Sequence, residues 1–128
     1  MNGKPILCLD FDGVCHSYVS GWTGADQIKD PPVEGLFEFL EEADKHFAIH
    51  IFSSRSHQEG GIEAMKAWFY EWFSRQFGRE SIPPFELHFP TVKPPAKVTI
   101  DDRGILFMGI WPSVDGLRRF EPWNKKEI

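Results

Sequence analysis

Short apolar runs that each end in polar residues recur along the chain. Residues 5–9 form the first run and lead into Asp10, and residues 47–52 form a second run that leads into Ser53. Runs of this length are too short for buried helices and predict buried strands. The same pattern predicts three further strands, over residues 85–89, residues 97–100 and, as a short fifth strand, residues 105–108.

Two longer segments carry apolar residues at helical spacing. The first extends from Asp30, where the two following prolines suit the first turn of a helix, to about Lys45. The second covers residues 62–77 and stops at Gly78. Because strands alternate with helices, the chain predicts an α/β fold with a mostly parallel central sheet.

Three of the predicted strands end in residues that can perform chemistry. Asp10 and Asp12 follow the first strand, Ser53 follows the second, and Asp101 and Asp102 follow the fourth. The carboxyl ends of parallel strands meet at one edge of the sheet, where such folds bind ligands. Carboxylates gathered there repel one another unless a cation or proton intervenes, and Mg²⁺ is a cation that hard oxygen ligands favour. A carboxylate at such a site can also act as a nucleophile.

The composition excludes some classes of protein. The 128 residues carry a net charge of −5 at pH 7, which disfavours a non-specific binder of nucleic acid or of an anionic membrane. The length fits a single domain over residues 1–128. No apolar stretch reaches the ~18 residues of a membrane span, and the start lacks a signal-peptide pattern. A soluble, cytoplasmic protein is therefore expected.

Four segments resemble the four signatures of the haloacid dehalogenase (HAD) superfamily, in the order in which that family carries them. Residues 7–14, LCLDFDGV, resemble the first signature, an apolar strand followed by DxDG[T/V]. Residues 49–53, IHIFS, resemble the second, a strand that ends in Ser or Thr. Lys93 fits the third, and residues 98–102, VTIDD, resemble the fourth, a strand that ends in paired acids. Together the segments span residues 5–102.

The resemblance implies a Rossmann-like three-layer sandwich and a Mg²⁺-dependent phosphatase that works through an aspartyl-phosphate. In that interpretation Asp10 is the nucleophile, and Asp12 is the general acid/base, with its backbone carbonyl also on the metal. Ser53, Lys93 and Gly13 would bind the phosphoryl group. The metal site would consist of four residues: Asp10, Asp12, Asp101 and Asp102.

Two of these assignments have alternatives. Lys97 is the alternative to Lys93, but it stands at the start of its predicted strand, at the end expected to lie away from the site. Either Asp101 or Asp102 would bind the metal directly, with the other close by or acting through water. Lys93 is therefore preferred, and the choice between the two acids stays open.

The HAD family often inserts a cap domain, for which this chain has little room. Residues 13–30 are too short and predict a flap or irregular loop. A helix and a strand already occupy the stretch between Ser53 and Lys93. A capless enzyme acting on a phosphorylated substrate, small or larger, is therefore expected. The alternatives are a nucleic-acid 3′-end phosphatase, which the acidic charge makes less favourable, another phosphotransferase, and a non-catalytic module that binds phosphate or a partner.

Several other conspicuous residues receive structural interpretations. Arg55 and His57 follow Ser53 and are expected on a surface loop. His16 shows no metal-ligand spacing and is expected to be an ordinary histidine. Trp111 and Trp123 are expected to seal the core near the end of the chain.

The predicted second helix is rich in aromatic residues. Its positions 68, 69, 72 and 73 form one stripe at helical spacing, which predicts a face that packs on the core. Tyr70 and Phe77 lie outside that stripe. A second apolar face of this kind leaves a homodimer open.

Overall fold

The central sheet of the protein has four parallel strands. The computed structural model describes residues 3–125. Its strands are β1 (Ile6–Leu9), β2 (Ala48–Ile51), β3 (Leu87–His88) and β4 (Val98–Ile100), in the spatial order β3-β2-β1-β4. The α/β class and the parallel sheet are confirmed. The predicted fifth strand is wrong, because residues 105–108 have no regular secondary structure.

Helices connect and flank the strands. They are α1 (Leu36–Asp44), α2 (Gly61–Phe77) and a short α3 (Val114–Arg118), and single 3₁₀ turns span Ser54–His57 and Trp123–Lys125. The predicted second helix is confirmed to within one residue. Within residues 3–125, no helix is long and apolar enough to cross a membrane.

The first helix begins later than the sequence predicts. Asp30 does not start it, because its carboxylate accepts hydrogen bonds from the Ser20 N–H and hydroxyl at 2.8 and 2.6 Å. Helix α1 instead follows Gly35, whose φ of 88° places it in the left-handed region that favours glycine. Long-range hydrogen bonds to Asp30 therefore outweigh its local tendency to start a helix.

The core lies on one face of the sheet. Alternate residues of β1 and β2 point to that face and are buried there with the inner sides of α1 and α2. The cluster is dominated by these side chains: Leu7, Leu9, Phe11, Phe37, Leu40, Ile49, Ile51, Met65, Trp68, Phe69 and Phe73. Both long helices contribute to this single cluster, and α3 buries no residue. The described residues thus provide two well-packed layers, and the third layer of the expected sandwich is not among them.

Strand β4 is poorly covered although it belongs to the same sheet. In the parallel register, Val98 pairs with Leu7 and Ile100 pairs with Leu9. Val98 and Ile100 therefore lie on the core side of the sheet, yet both are exposed. The helical layer protects β1 and β2 but stops short of this edge strand.

Two irregular segments leave the carboxyl edge of the sheet. The first is the flap, residues 13–30, and the second is the arm, residues 104–121. The flap returns to the body of the protein through backbone hydrogen bonds such as Ser17 N–H to the Pro31 carbonyl, 3.0 Å. Every residue of the arm is exposed, including Trp111. The expectation that Trp111 seals the core is therefore wrong.

The aromatic face of α2 follows the prediction. Trp68, Phe69 and Phe73 are buried, and Trp72 packs against the core from a partly buried position. Tyr70 and Phe77 are exposed. The helical spacing of the aromatic residues thus separates a core-facing stripe from two outward side chains.

Candidate active site at the carboxyl edge of the sheet

A small cavity lies where the parallel strands end. Its volume is about 160 Å³. It is lined by residues of β1 and β4 and by residues that follow each of the four strands: Cys8, Asp10, Phe52, Ser53, Ser54, Lys93, Thr99 and Asp101. The fold therefore brings together Asp10, Ser53, Lys93 and Asp101, which the sequence had assigned to one site.

Three carboxylates form a cluster at this cavity. Oxygen atoms of Asp10, Asp101 and Asp102 all lie within 4.8 Å of one another. Asp102 Oδ1 is buried and has no hydrogen-bond partner in the described part of the chain. The Asp101 carboxylate accepts a hydrogen bond from the Arg103 N–H at 2.9 Å, which fixes its direction. A cluster of hard oxygen atoms with one unsatisfied member is suited to a divalent cation.

The cluster is electrostatically costly as it stands. Burial and, after it, the nearby negative charge of Asp101 together raise the pKa of Asp10 to about 8. Burial also raises the pKa of Asp102. A positive charge bound among the three groups would offset both causes.

Ser53 and Lys93 supply donors to the same cavity. Ser53 is buried, and its Oγ accepts a hydrogen bond from the Arg55 N–H at 3.1 Å as it caps the 3₁₀ turn. Because Oγ acts as an acceptor there, its hydroxyl hydrogen remains available to an oxygen in the cavity. Lys97 does not line the cavity, and its N–H pairs with the Ile6 carbonyl at the opposite end of β1.

The carboxylate of Asp12 lies outside the acid cluster. Its Oδ2 accepts a hydrogen bond from Arg55 Nε at 2.9 Å, and its Oδ1 accepts one from Arg55 Nη2 at 3.1 Å. His16 Nδ1 lies 2.9 Å from the same Oδ1. Both oxygens of Asp12 are thus engaged by a planar guanidinium in the two-pronged geometry that such pairs favour.

The hydrogen bonds of His16 identify its tautomer. His16 is buried, and its Nε2 accepts a hydrogen bond from the Asp30 N–H at 3.0 Å. An accepting Nε2 carries no proton, so the proton of the neutral ring is on Nδ1 and is donated to Asp12. The 3.6 Å approach of the Asp30 carboxylate to Nε2 is therefore not a charged contact. His16 joins Asp12 to the end of the flap, which is more than the ordinary role expected of it.

Arg55 is the residue whose placement the sequence interpretation missed. The surface-loop expectation holds for His57, which is exposed, and is wrong for Arg55, which is fully buried. Its Nη1 donates to three flap carbonyls, those of Gly24, Ala25 and Gln27, at 2.8, 2.8 and 3.2 Å. Its position two residues after Ser53, at the end of β2, was the available signal, because that position belongs to the carboxyl edge.

Gly13 lies where the flap, the arm and the acid cluster meet. Its φ is 86°, and a Cβ at this position would overlap the Asp102 carboxylate. Its carbonyl accepts a hydrogen bond from the Trp123 indole N–H at 2.7 Å. Trp123 is half exposed, so it ties the end of the chain to this loop and does not seal the core. Glycine is required here by both its backbone conformation and the lack of space.

Comparison of the chain with protein-family models, with curated proteins and with solved structures finds no significant match. A buried carboxylate, two neighbouring acids, a hydroxyl and an ammonium are the groups that phosphoryl transfer uses for attack, charge neutralisation and positioning.

Proposed function

We propose that the protein is a Mg²⁺-dependent phosphatase of the HAD type that forms an aspartyl-phosphate on Asp10. The observation that carries this proposal is the shared cavity, in which Asp10, Ser53, Lys93 and Asp101 meet although they are distant in sequence. The same four positions are those that the resemblance of the sequence to HAD signatures assigns to the reaction. The substrate class is a phosphate monoester.

Mg²⁺ fits the residues at the site. Asp10, Asp101 and Asp102 would hold the ion, and the unsatisfied buried Oδ1 of Asp102 supports that assignment. When bound, the ion would neutralise charge on the phosphoryl oxygens and on the carboxylates around it. Asp12 would take part through its backbone carbonyl, since its carboxylate is paired with Arg55.

Asp10, Ser53 and Lys93 each have a separate role in the proposed reaction. The Phe11 N–H donates to Asp10 Oδ1 at 2.9 Å and orients the carboxylate, so that Oδ2 is the oxygen we assign to attack. A bond from Asp10 to phosphorus forms as the bond to the leaving-group oxygen breaks. The Ser53 hydroxyl and the Lys93 ammonium would bind the transferred phosphoryl oxygens. Water then attacks phosphorus, which releases inorganic phosphate and restores the Asp10 carboxylate.

Asp12 is assigned the proton transfers, in line with the resemblance. It would donate a proton to the leaving-group oxygen and take one from the attacking water. To do so, its carboxylate must exchange one of the bonds it makes to Arg55 or His16, and His16 Nδ1–H is a proton-bearing neighbour at 2.9 Å. Turnover is therefore expected to depend on movement of the flap end that these residues hold.

The test is hydrolysis of an aryl phosphate with and without Mg²⁺, followed by a panel of phosphorylated metabolites. Asp10→Asn should abolish Mg²⁺-dependent phosphate release and keep the fold, because it removes the nucleophile at nearly constant volume. Asp26→Asn, on the exposed part of the flap, is the matched control and should retain the rate. A wild-type rate in Asp10→Asn would rule out the proposed nucleophile.

A phosphate-binding module without turnover is the second candidate. The engagement of Asp12 by Arg55 favours it, because a carboxylate held in this way is not free to serve a leaving group. Calorimetry with Mg²⁺ and inorganic phosphate distinguishes the two functions. Binding of both, together with no phosphate release from any ester in the panel, would support the module over the enzyme.

A further inference from the structure

The first part of the arm, residues 104–114, presents an uncharged, apolar surface to solvent. Residues 104–114 contain no Asp, Glu, Lys or Arg. The large apolar side chains exposed along the arm are Ile105, Leu106, Phe107, Met108, Ile110, Trp111, Val114, Leu117 and Phe120. All but Phe120 line, with Pro112, a groove of about 590 Å³ that is built from the arm alone. Monomeric proteins rarely expose this many large apolar side chains side by side, and such a patch marks an interaction site.

The arm is held at its two ends, and its middle part is not packed on the body of the protein. It starts directly after Asp102 and Arg103, and Asp102 lies against Gly13. It ends at Pro122, which is buried, and at Trp123, whose indole N–H donates to the Gly13 carbonyl. Both ends thus lie close to Gly13, and every residue between them is exposed.

Close to the start of the arm, strand β4 has an outer edge that pairs with no other strand of the described chain. In the described chain β4 pairs with β1 alone, so its outer edge offers backbone N–H and C=O groups without strand partners. Val98 and Ile100 of this strand are also exposed on the core side of the sheet. A polypeptide can satisfy both the strand edge and the apolar side chains, whereas a lipid surface cannot pair a strand edge.

We propose that the arm and the β4 edge form the interface of a homodimer, in which the arm of each copy packs against the arm of its partner. The nine large apolar side chains of the arm are 40–83% exposed, and at on the order of 100 Å² each they offer the ~800 Å² per partner that a stable interface buries. The arm contains both a groove and protruding apolar side chains. In a dimer with a two-fold axis, side chains of each arm can therefore pack into the groove of the other. The lack of cations over residues 104–114 argues against a polyanion as the partner.

The test is the mass of the full chain in solution, measured by light scattering after size exclusion over a range of concentrations. Wild-type protein should have twice the mass of one chain. Ile110→Asp and, as a second variant, Leu106→Asp should raise the dissociation constant at least tenfold and give the single-chain mass. Ile82→Asp is the matched control, since Ile82 is 86% exposed against 82% for Ile110 but lies outside the arm. It should remain dimeric, and circular dichroism should show all three variants folded.

Three outcomes would overturn the proposal. Wild-type protein with the single-chain mass at every concentration would show that a second copy does not cover the arm. Co-sedimentation of that monomer with zwitterionic vesicles, lost in Ile110→Asp, would assign the arm to a lipid surface. A dimer that persists in both arm variants would place the interface elsewhere, with Tyr70 and Phe77 of α2 as the next exposed apolar surface. None of these measurements depends on phosphatase activity.

Discussion

The flap and the arm leave the same edge of the sheet and have similar lengths. They differ in their contacts with the body of the protein, which bonds the polar groups of the flap and leaves the apolar side chains of the arm exposed. Arg55 pairs with three flap carbonyls, and Asp30 in the flap accepts from Ser20 and donates to His16. Trp68 of α2 donates its indole N–H to the Asp30 carbonyl at 3.0 Å. Side chains of the body thus organise a segment that has almost no secondary structure.

The arm has the opposite character. Its apolar side chains contact one another, as Phe107 and Trp111 do at 4.8 Å between ring centres, but they are exposed to solvent. Its polar contacts are local, such as the ion pairs of Asp115 with Arg118 and Arg119. A loop without secondary structure is thus held in place when buried side chains donate hydrogen bonds to its carbonyls. An apolar loop is held in place only when another surface buries its side chains.

The largest effect is expected from breaking the contacts that fix the flap. Arg55→Ala should lower the free energy of unfolding by about 3–5 kcal/mol, because it leaves Asp12 without its buried partner and three carbonyls without a donor. Arg55→Lys should recover little of this loss, since an ammonium cannot reproduce the two-pronged contact. Denaturant unfolding measures both variants.

Arg75→Ala is the control for that prediction. Arg75 pairs with Glu71 at 2.9 Å on the exposed side of α2, where an ion pair contributes less than about 1 kcal/mol. Equal losses in Arg55→Ala and Arg75→Ala would contradict the buried role assigned to Arg55. A flap that keeps its protection from proteolysis in Arg55→Ala would show that other contacts hold it.

The next effect concerns Gly13, where flap and arm meet. Gly13→Ala and Gly35→Ala place a side chain at nearly the same φ, 86° and 88°, and each should cost about 1–2 kcal/mol of stability. Only at Gly13 does the new Cβ overlap the Asp102 carboxylate, because Gly35 has open space around it. Gly13→Ala should therefore also weaken binding at the proposed Mg²⁺ site roughly 10–100-fold, as displaced metal-site partners do. Calorimetric titration that gives both variants the same Mg²⁺ affinity would contradict the placement of Asp102 in the site.

The strand ends of the candidate site and the buried face of α2 could be predicted, because each depends on a sequence pattern within a single element. The apolar runs before Asp10 and Asp101 fix which residues reach the carboxyl edge, since a parallel sheet aligns strand ends. The aromatic spacing of α2 fixes its buried face in the same way. The same reasoning places Arg55 at the carboxyl edge but could not predict its burial, because its partners at residues 24–27 reach it only through the fold of the flap.

The arm side shows where local signals fail. Residues 105–108 have the apolar character of a strand, but a strand also needs a neighbour with which to exchange hydrogen bonds. No neighbour is available to this segment within the described chain, so it forms a loop. A similar limit applies to Asp30. The two prolines that follow it favour a helix start, but its carboxylate accepts from Ser20 and its N–H donates to His16.

The smallest change in stability is expected when an arm residue is replaced in the monomeric protein. Two leucines, one in the core and one in the arm, provide the comparison. Leu40 of α1 is 0% exposed, and Leu106 of the arm is 80% exposed. Leu40→Ala should cost about 2–5 kcal/mol, because it removes core contacts and leaves a cavity. Leu106→Ala, measured at a dilution where copies are apart, should change stability by less than about 0.5 kcal/mol. A loss above about 1 kcal/mol at that dilution would mean that the arm packs on its own chain, which removes its need for a second copy.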